Sequence, residues 1–499
     1  MRFSRPYAVT ATLVLCTLTL AGTPNAATRP APVAITHVTV IGMTDAPPLS
    51  DQTVVLDRGV IARVDKASRV RIPKGARVID GRGQFVIPGL WDMHVHLANR
   101  PDALLAERFL VPLLLAHGVT GVRDMGGDPA RILQIRAAIA RGPLRGPHIV
   151  APGPFVDGPQ DSSPMWRSVT TAAAAREAVR ALKREGADFV KIQSTLSREC
   201  LIAVAEESKR QRLRFAGHVP EALSAFEVIA AGPASLEHVS PSLPGDAGLM
   251  RACTRDEPGL RDSLRALNEA AQQPGSDIAA LRDRQRAIQE RHLEPWDEAA
   301  MKRLFDDLNT HGTHVVPTLV WSQALRALDW SDTGSVAPLQ YVPRGMRERW
   351  RNGRRRYIDA ATPEALTLNR RMAESSLALV RAMHRAGVRV MAGTDAFDAF
   401  VLAGPSLHQE LELLVKAGFS PLAALQAATI VPARFLGRER TQGTIERGKQ
   451  ADLVLLEASP LHDIRNTRRI TTVVVRGTVL DRSALDAMLG ELEVRGREP

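Results

Sequence analysis

Two histidines separated by one residue, His94 and His96, are the first candidates for chemistry in this sequence. They end the apolar segment 85–96, which has the composition of a buried strand. Because side chains alternate along a strand, both imidazoles would lie on the same face. One histidine there could be a satisfied core residue, whereas two at this spacing are typical of metal ligands. The pattern therefore predicts a metal site at the end of this strand.

Four further polar residues lie at the ends of short apolar segments in the same way. They are Lys191 in FVKI, His218 in AGHV, His238 in LEHV, and Asp395 after AGT. The first three are spaced by 27 and 20 residues, which is the length of one strand and one helix. A plain helix cap is the alternative for Asp395. Together with the two histidines, these residues predict a metal site built from several strand ends.

Lys191 lies between Val190 and Ile192, where a free ammonium group is costly to bury. Neighbouring divalent cations would repel its charge. If the amine reacts with carbon dioxide, the product is a carbamate, an anionic group whose two oxygens can bridge two metals. The alternative is an interior lysine that pairs with a carboxylate.

An alternation of strands and helices must position these side chains. Eight strand candidates occupy 85–96, 119–124, 148–155, 189–193, 214–219, 235–239, 314–320 and 389–394. Helical segments occupy 102–117, 171–184, 198–211 and 364–385, with helix stops at Gly118, Gly186 and Gly387. Eight such units predict an α/β fold, a TIM (β/α)8 barrel, whose active site lies at the carboxyl ends of the strands.

The two ends of the chain carry short β-branched segments broken by turns. They include 34–40, 53–56, 60–64 and 77–79, and then 452–456, 470–475 and 478–480. Such segments predict a small antiparallel sheet. We expect residues 28–85 and 441–499 to build one composite β-sandwich domain, with the barrel at 86–440.

Two gaps between strand candidates are too long for a plain strand and helix. We expect insertions at about 241–293 and 322–362. The first is charged and helix-prone, and the second contains Trp330, Tyr341, Trp350 and an arginine cluster at 347–356. Both follow strands at the catalytic face of such a barrel, so they are candidate lids. An oligomer contact or a solvated basic face is the alternative.

The composition is that of a soluble globular enzyme, with 44% hydrophobic and 24% charged residues in a chain of 499. This excludes collagen-like, coiled-coil and wholly disordered proteins. The formal net charge is +11, and 57 of the 65 basic residues are arginine. Charge alone names no partner, and we expect no nucleic-acid binding.

Residues 1–27 have the order of a secretory signal peptide. Arg2 and Arg5 precede an apolar segment at 8–21, and small residues follow it. The segment is too short to span a membrane comfortably, so we expect export to the periplasm or the medium and no membrane span. Two cysteines then remain, Cys200 and Cys253, which could pair in an oxidising compartment or be unrelated buried thiols.

Taken together, these motifs resemble the amidohydrolase superfamily, in its imidazolonepropionase-like, prolidase-type branch. The resemblance covers most of residues 33–482. It rests on VIPGLWDMHVH (86–96), VRDMGG (122–127), the Lys191 strand, the two single-histidine strands, GTD (393–395) and GKQADLV (448–454). It implies a barrel with a β-sandwich and hydrolysis of amide bonds in dipeptides or N-acyl amino acids.

The resemblance also implies two zinc ions that share a water. The ligands of one ion would be His94, His96 and Asp395. Those of the other would be His218 and His238, with carboxylated Lys191 bridging both. The metals would lower the pKa of the shared water and polarise the scissile carbonyl. Asp395 would be the general base and would deliver the proton to the leaving amine.

Some polar residues near the strands have simpler interpretations. Arg123 could bind a substrate carboxylate or form a structural ion pair with Asp124. Four other histidines lie at helix ends or at the opposite ends of strands, so we expect no catalytic role for them: His117, His148, His314 and His384.

Other functions fit parts of the same pattern. The same metals could serve a lactone, cyclic amide or phosphoester hydrolase, whereas mononuclear deaminases of this fold lack the bridging lysine. A distant alternative is a basic protein that binds nucleic acid or another anionic surface through residues 347–356. The favoured partner is a small-molecule amide or peptide substrate, and a homo-oligomer is compatible with the insertions.

Overall fold

The computed structural model describes residues 31–99, 105–142, 144–241, 248–271, 273, 275–326 and 338–498. The predicted signal peptide, residues 1–27, lies outside the described residues, as does Trp330 of the second predicted insertion. Within the described ranges, no helix has both the length and the apolar character needed to cross a membrane.

Strands and helices alternate through most of the described chain. The strands are β1 (Val33–Val40), β2 (Leu49–Asp57), β3 (Val60–Lys66), β4 (Arg77–Asp80), β5 (Phe85–Pro88), β6 (Leu90–Val95), β7 (Val119–Asp124), β8 (His148–Val150), β9 (Phe155–Asp157), β10 (Trp166–Ser168), β11 (Val190–Ile192), β12 (Phe215–Gly217), β13 (Ser235–Glu237), β14 (His314–Val316), β15 (Leu453–Leu456), β16 (Ile470–Val475) and β17 (Thr478–Asp481). The helices are α1 (Val111–Ala116), α2 (Pro129–Arg141), α3 (Ala172–Arg184), α4 (Arg198–Gln211), α5 (Ala225–Ala230), α6 (Glu257–Ala271), α7 (Ile278–His292), α8 (Glu298–His311), α9 (Leu319–Arg326), α10 (Arg344–Ala360), α11 (Pro363–Arg385), α12 (Pro405–Lys416), α13 (Pro421–Ala427), α14 (Ile430–Phe435) and α15 (Arg482–Gly496).

The two chain ends form one composite sheet in the order β17-β16-β15-β5-β1-β2-β3, with β4 paired to β1. The sheet is mixed rather than antiparallel, because β1 runs parallel to β4 and β5 and antiparallel to β2. One face encloses an apolar core to which both ends contribute, including Ile35, Leu56, Leu453 and Val474. Beyond the last strand, α15 packs on α1 of the barrel.

The barrel strands are all parallel, in the orders β6-β7-β8 and β10-β9-β11-β12-β13-β14. The segment 389–396 closes the ring between β14 and β6 through backbone hydrogen bonds rather than as a regular strand. The Met391 N–H donates to the carbonyl of Val315, and the Met93 N–H donates to that of Ala392, each at 2.9 Å. The predicted TIM-type barrel with an added domain is confirmed.

Three predicted strands are shorter or divided. The first breaks between Pro88 and Leu90: β5 ends at Pro88, paired in the composite sheet, and β6 begins at Leu90 in the barrel. The third is divided into β8 and β9. The seventh ends at Val316, because Pro317 and Thr318 follow, the latter with a φ of 46°, and the chain turns into α9.

The predicted helices at 171–184, 198–211 and 364–385 are present as α3, α4 and α11. Gly118, Gly186 and Gly387 all follow helices with a positive φ, between 74° and 81°, as expected for helix stops. The predicted helix at 102–117 starts outside the described residues, and its described part is a π-helical turn at Ala106–Leu110 followed by α1.

The first insertion is helical, as predicted. It contains α6 and α7, which share a small core of their own: Leu260, Leu264, Leu267 and Ile288. The second insertion contains part of α9 and the arginine-rich α10.

The two cysteines of the described chain do not form a disulfide. Cys200 and Cys253 are both buried and free, and burial raises the pKa of the Cys253 thiol to about 12. They are therefore unrelated buried thiols that act as small core residues.

Candidate metal centre

The predicted ligands lie at the carboxyl ends of the barrel strands. His94 is the residue before the last in β6, His218 follows β12, and His238 follows β13. Lys191 is the central residue of β11, and Asp395 follows the segment that closes the barrel. Because the strands are parallel, these positions face one end of the barrel.

His94, His96 and Asp395 form the three-residue cluster that could hold a metal ion. Their ligand atoms lie within 4.8 Å of one another. Nε2 of His94 is 3.4 Å and Nε2 of His96 is 3.2 Å from Oδ1 of Asp395. Two imidazoles and one carboxylate are a donor set typical of zinc.

His238 and His218 extend this cluster to one side. Nε2 of His238 is 3.8 Å from Oδ2 of Asp395, and its ring centroid is 4.9 Å from that of His94. The ring of His218 is also 4.9 Å from that of His238. Lys191 is fully buried, and its charge acts on His218 and His238. All six predicted residues therefore face one region.

The other ring nitrogen of each histidine has a fixed partner. The Nδ1 contacts are His94 to Glu237 Oε2 (3.0 Å), His96 to the Gly126 carbonyl (2.9 Å), His218 to Ser194 Oγ (3.0 Å) and His238 to Thr318 Oγ1 (2.7 Å). Carboxylates and carbonyls only accept, so Nδ1 of His94 and His96 carries the hydrogen. The Nε2 lone pairs then point into the cluster, as metal binding requires.

Burial keeps most of these imidazoles neutral, which is the form that binds metals. It lowers the pKa of His94 to about 4 and that of His238 to about 3, and it holds the pKa of His218 well below the usual value. His96 differs: burial again lowers its pKa, but the hydrogen bond and charge of Asp395, the charge of Asp124 and the Gly126 carbonyl together outweigh burial, so the pKa is raised. The surrounding histidines, His94 foremost, hold the pKa of Asp395 below its usual range despite burial.

The state of one histidine nitrogen indicates that these residues fit a metal ion. Nε2 of His94 is buried and makes no hydrogen bond within the described part of the chain, although it lies beside Asp395. A buried nitrogen without a hydrogen bond is costly, and a metal ion would satisfy it. Access is from the side of His96 and Asp395, whose side chains are 13% and 14% exposed, against 1% for His94.

The backbone is strained at two of the predicted ligands. His238 and Asp395 have φ values of 61° and 62°, a region that residues other than glycine seldom adopt. Gly393 lets the closing segment approach β6, since a Cβ there would lie 2.8 Å from the backbone nitrogen of His94. Such strain is common where a site must hold a side chain in a set direction.

Arg123 has a different partner from either interpretation offered by the sequence. It is buried and donates to both oxygens of Glu237 at 2.8 Å, to Ser235 Oγ and to the Met93 carbonyl, each at 2.7 Å. Asp124 instead accepts backbone N–H groups. Arg123 is therefore committed to Glu237 and is not exposed to substrate.

Sequence reasoning missed Glu237, which connects Arg123 to His94. Its signal was an acidic residue inside the buried segment SLEHV, next to a predicted ligand. It also missed Ser194 and Thr318, which follow β11 and β14 and fix the rings of His218 and His238. Their positions at strand ends were the available signal.

Aromatic side chains surround the opening of the cluster. Phe155 lies 5.7 Å from His96, and Trp321 lies 5.2 Å from His238, between ring centroids. Trp350 of α10 packs on Phe397 at 5.1 Å, and Phe397 follows Asp395 closely in the chain. The second insertion thus contacts the segment that follows Asp395, and its role as a lid stays a prediction.

Glu410 of α12 anchors the helix that carries Trp321. Its carboxyl accepts the backbone N–H groups of Leu319 at 3.1 Å and Val320 at 2.7 Å, in the first turn of α9. The side chain is fully buried, and burial raises its pKa to about 8.

We expect the substitution Glu410→Gln to change how folding stability depends on pH. The folded chain holds the Glu410 proton up to about pH 8, whereas the unfolded chain releases it near pH 4.5. Ionisation of Glu410 therefore makes the folded protein less stable as the pH rises from about 4.5 to about 8. As the pH rises through the window, the free energy of unfolding of the variant should increase relative to that of the wild type by up to about 1.4 kcal/mol per pH unit. Urea unfolding at several pH values in the window measures this. Parallel stability curves, as expected for the exposed control Glu439→Gln, would contradict it.

Comparisons with known proteins agree with this architecture. The profile of the amidohydrolase family matches residues 85–253 and 270–480. The crystal structure of a putative prolidase from Bifidobacterium longum is 25% identical, with a TM-score of 0.63 over 93% of this chain and 99% of that one. A bottromycin amidohydrolase structure, at 22% identity and a TM-score of 0.68 over 94% of this chain and 92% of that one, shows the same fold.

One curated relative is similar over a short region. It is an adenine deaminase from Methanothrix thermoacetophila, 35% identical over 81 residues. The alignment spans 16% of this chain and only 13% of the length of that deaminase.

Proposed function

Because this chain belongs to the amidohydrolase family, we propose that it hydrolyses the amide bonds of dipeptides or N-acyl amino acids at a centre of two zinc ions. The coarse reaction class follows from the family. The similarity to a putative prolidase over nearly the full length of both chains supports the choice of substrate.

The observation that carries this proposal is the buried Nε2 of His94, directed at the carboxylate of Asp395 without a hydrogen bond. His94, His96 and Asp395 would hold one ion. His218 and His238 would hold the other, and Lys191, as a carbamate, would bridge them. When bound, the ions would lower the pKa of a water and polarise the scissile carbonyl.

The bridging role of Lys191 is supported by its burial. Its side chain is fully inaccessible and lies in a strand between two apolar residues, where a cation is costly. A carbamate would convert this cation to an anion among neutral imidazoles. It would also supply the oxygen donors that His218 and His238 alone do not provide.

Asp395 would move the proton. The pKa of its carboxylate lies below the usual range, so the group is ionised near neutral pH, and it is partly open to solvent beside His96. From this position it would accept a proton from the attacking water and release it to the leaving amine. Because one carboxylate would carry the proton in both steps, the reaction would need no second acid.

The surrounding rings would shape the substrate pocket. Phe155 and Trp321 lie against two of the candidate ligands, and Trp350 of the second insertion packs on Phe397, two residues after Asp395. Aromatic walls favour an apolar acyl or side-chain group on the substrate.

We further propose export of the protein through residues 1–27. Mass spectrometry of the protein recovered from the periplasm would test this. We expect a mass lower than that of the full chain by about the mass of residues 1–27.

The deciding experiment is metal content per chain together with hydrolysis of a panel of dipeptides and N-acyl amino acids. We expect two zinc ions and amide cleavage in the wild type, and loss of both in Lys191→Ala, because the variant has no bridging group. Lys183→Ala, an exposed lysine on α3, is the matched control and should keep both. Two metals without amide cleavage would move the search to lactones and phosphoesters. A folded, metal-free, inactive wild type after zinc addition would refute the proposal.

A further inference from the structure

A cavity lies at the end of the barrel opposite the candidate metal centre. Its volume is about 830 Å³. Arg214 and Ala234 line it directly before β12 and β13, and His314 lines it at the start of β14. The candidate ligands His218 and His238 follow the same two strands at their other ends. The two sites are therefore separated by the length of the barrel.

The polar lining of this cavity is entirely basic or uncharged. Three guanidinium groups line it, from Arg214, Arg389 and Arg434, and three imidazoles join them, from His311, His314 and His384. None of the described residues that line it carries a carboxylate. A cavity lined in this way has a positive potential that attracts anions.

The three arginines keep donors available. Arg214 donates one N–H to the Phe435 carbonyl at 2.7 Å, and Arg389 donates one to the Gly312 carbonyl at 3.5 Å. Within the described part of the chain, none of the three forms an ion pair with a carboxylate. This contrasts with Arg123, whose charge is already matched by Glu237. Guanidinium groups that are not paired with a carboxylate can bind a carboxylate or phosphate ligand through two hydrogen bonds.

Apart from Gln426, the rest of the lining consists of glycine and apolar residues. It includes Pro233, Val388, Val390, Phe419 and Val431. The ring of His384 stacks on that of Phe419, and the ring of His314 lies edge-on to that of Phe435 at 5.1 Å. The volume is in the range of small-molecule sites, which are mostly apolar with a few polar groups that fix orientation.

We propose that this cavity binds an organic oxyanion, a carboxylate or a phosphate monoester on an apolar body, at a site distinct from the metal centre. The arginines would hold the oxyanion, and the apolar lining would cover the body. The proposal does not depend on the reaction that the metal centre performs.

Isothermal titration of the full-length, metal-loaded protein tests the site. The probes are hexanoate and hexyl phosphate, with hexanol, hexylammonium and inorganic phosphate for comparison. We expect one site per chain for at least one hexyl anion, weaker binding as the salt concentration rises, and weaker binding of the other three probes. The hexyl anion that binds more tightly identifies the source of the oxyanion.

The double variant Arg389→Gln/Arg434→Gln should bind the hexyl anion at least about tenfold more weakly, since each charged hydrogen bond contributes about that factor. Both residues are exposed, so the fold should persist, and unchanged hydrolysis at the metal centre would confirm this. Arg440→Gln/Arg447→Gln, exposed and outside the cavity, removes the same charge and should leave binding unchanged. Equal binding of hexanol and hexanoate, or equal anion binding in both double variants, would overturn the proposal.

Discussion

The substitution Asp395→Asn is expected to lower kcat for amide hydrolysis by about 1,000-fold, within the range observed when a general base is lost. Asparagine has nearly the same shape and keeps one oxygen beside His94 and His96, but it cannot take up a proton near neutral pH. The loss should therefore appear in kcat more than in KM.

Metal content separates this effect from simple loss of the centre. We expect the Asp395→Asn chain to retain a larger fraction of its zinc than of its activity, because His94 and His96 still have their Nδ1 partners. Asp45→Asn, at an exposed position before β2, is the matched control and should behave as the wild type. Retention of more than about a tenth of kcat in Asp395→Asn would exclude Asp395 as the base.

The largest effect on stability is expected from Arg123→Met. This change leaves the buried Glu237 carboxylate without its cation, and breaking a buried pair in this way typically costs about 3–5 kcal/mol. The pKa of Glu237 is held well below its usual range, by the charge of Arg123 above all, in opposition to burial. Urea unfolding of the metal-free chain measures the loss.

Stability and metal binding should both respond, because Glu237 also holds Nδ1 of His94. We expect zinc affinity in Arg123→Met to fall by about 10- to 100-fold, as for other changes in residues that orient ligands. The double variant Arg123→Met/Glu237→Gln removes both charges and should recover part of the stability. Arg82→Met, which breaks the exposed pair with Asp80, should cost about 1 kcal/mol or less. Equal losses in the single and double variants would show that the charge pair is not the cause.

The positions of the candidate ligands followed from the sequence because they depend on two local rules. Side chains alternate along a strand, so His94 and His96 share a face, and the ends of parallel strands meet at one end of a barrel. Each ligand follows an apolar segment that is recognisable by itself. The structure accordingly places His94, His96 and Asp395 in one cluster.

The composite sheet followed from the sequence for a similar reason, since β-branched segments at both ends need a common partner to bury their apolar faces. Its strand directions did not. That β1 pairs parallel with β5 on one side and antiparallel with β2 on the other depends on the path of the loops, and side-chain alternation is the same for both directions.

The partners of the buried charges could not be predicted from the sequence. Arg123 and Glu237 are 114 residues apart, and nothing in either segment favours that pair over Arg123 with the adjacent Asp124. The choice is made by the packing of β7 against the barrel interior, where Glu237 is within reach and Asp124 is satisfied by backbone N–H groups.

Local periodicity in the amino-acid sequence was enough to predict the barrel and the composite sheet and to place six candidate ligands at strand ends. The tertiary structure alone decided what holds those ligands in place, and it alone revealed the basic cavity at the opposite end. Burial and electrostatic pairing are set by contacts between segments far apart in the chain, and such contacts leave no periodic trace in the sequence.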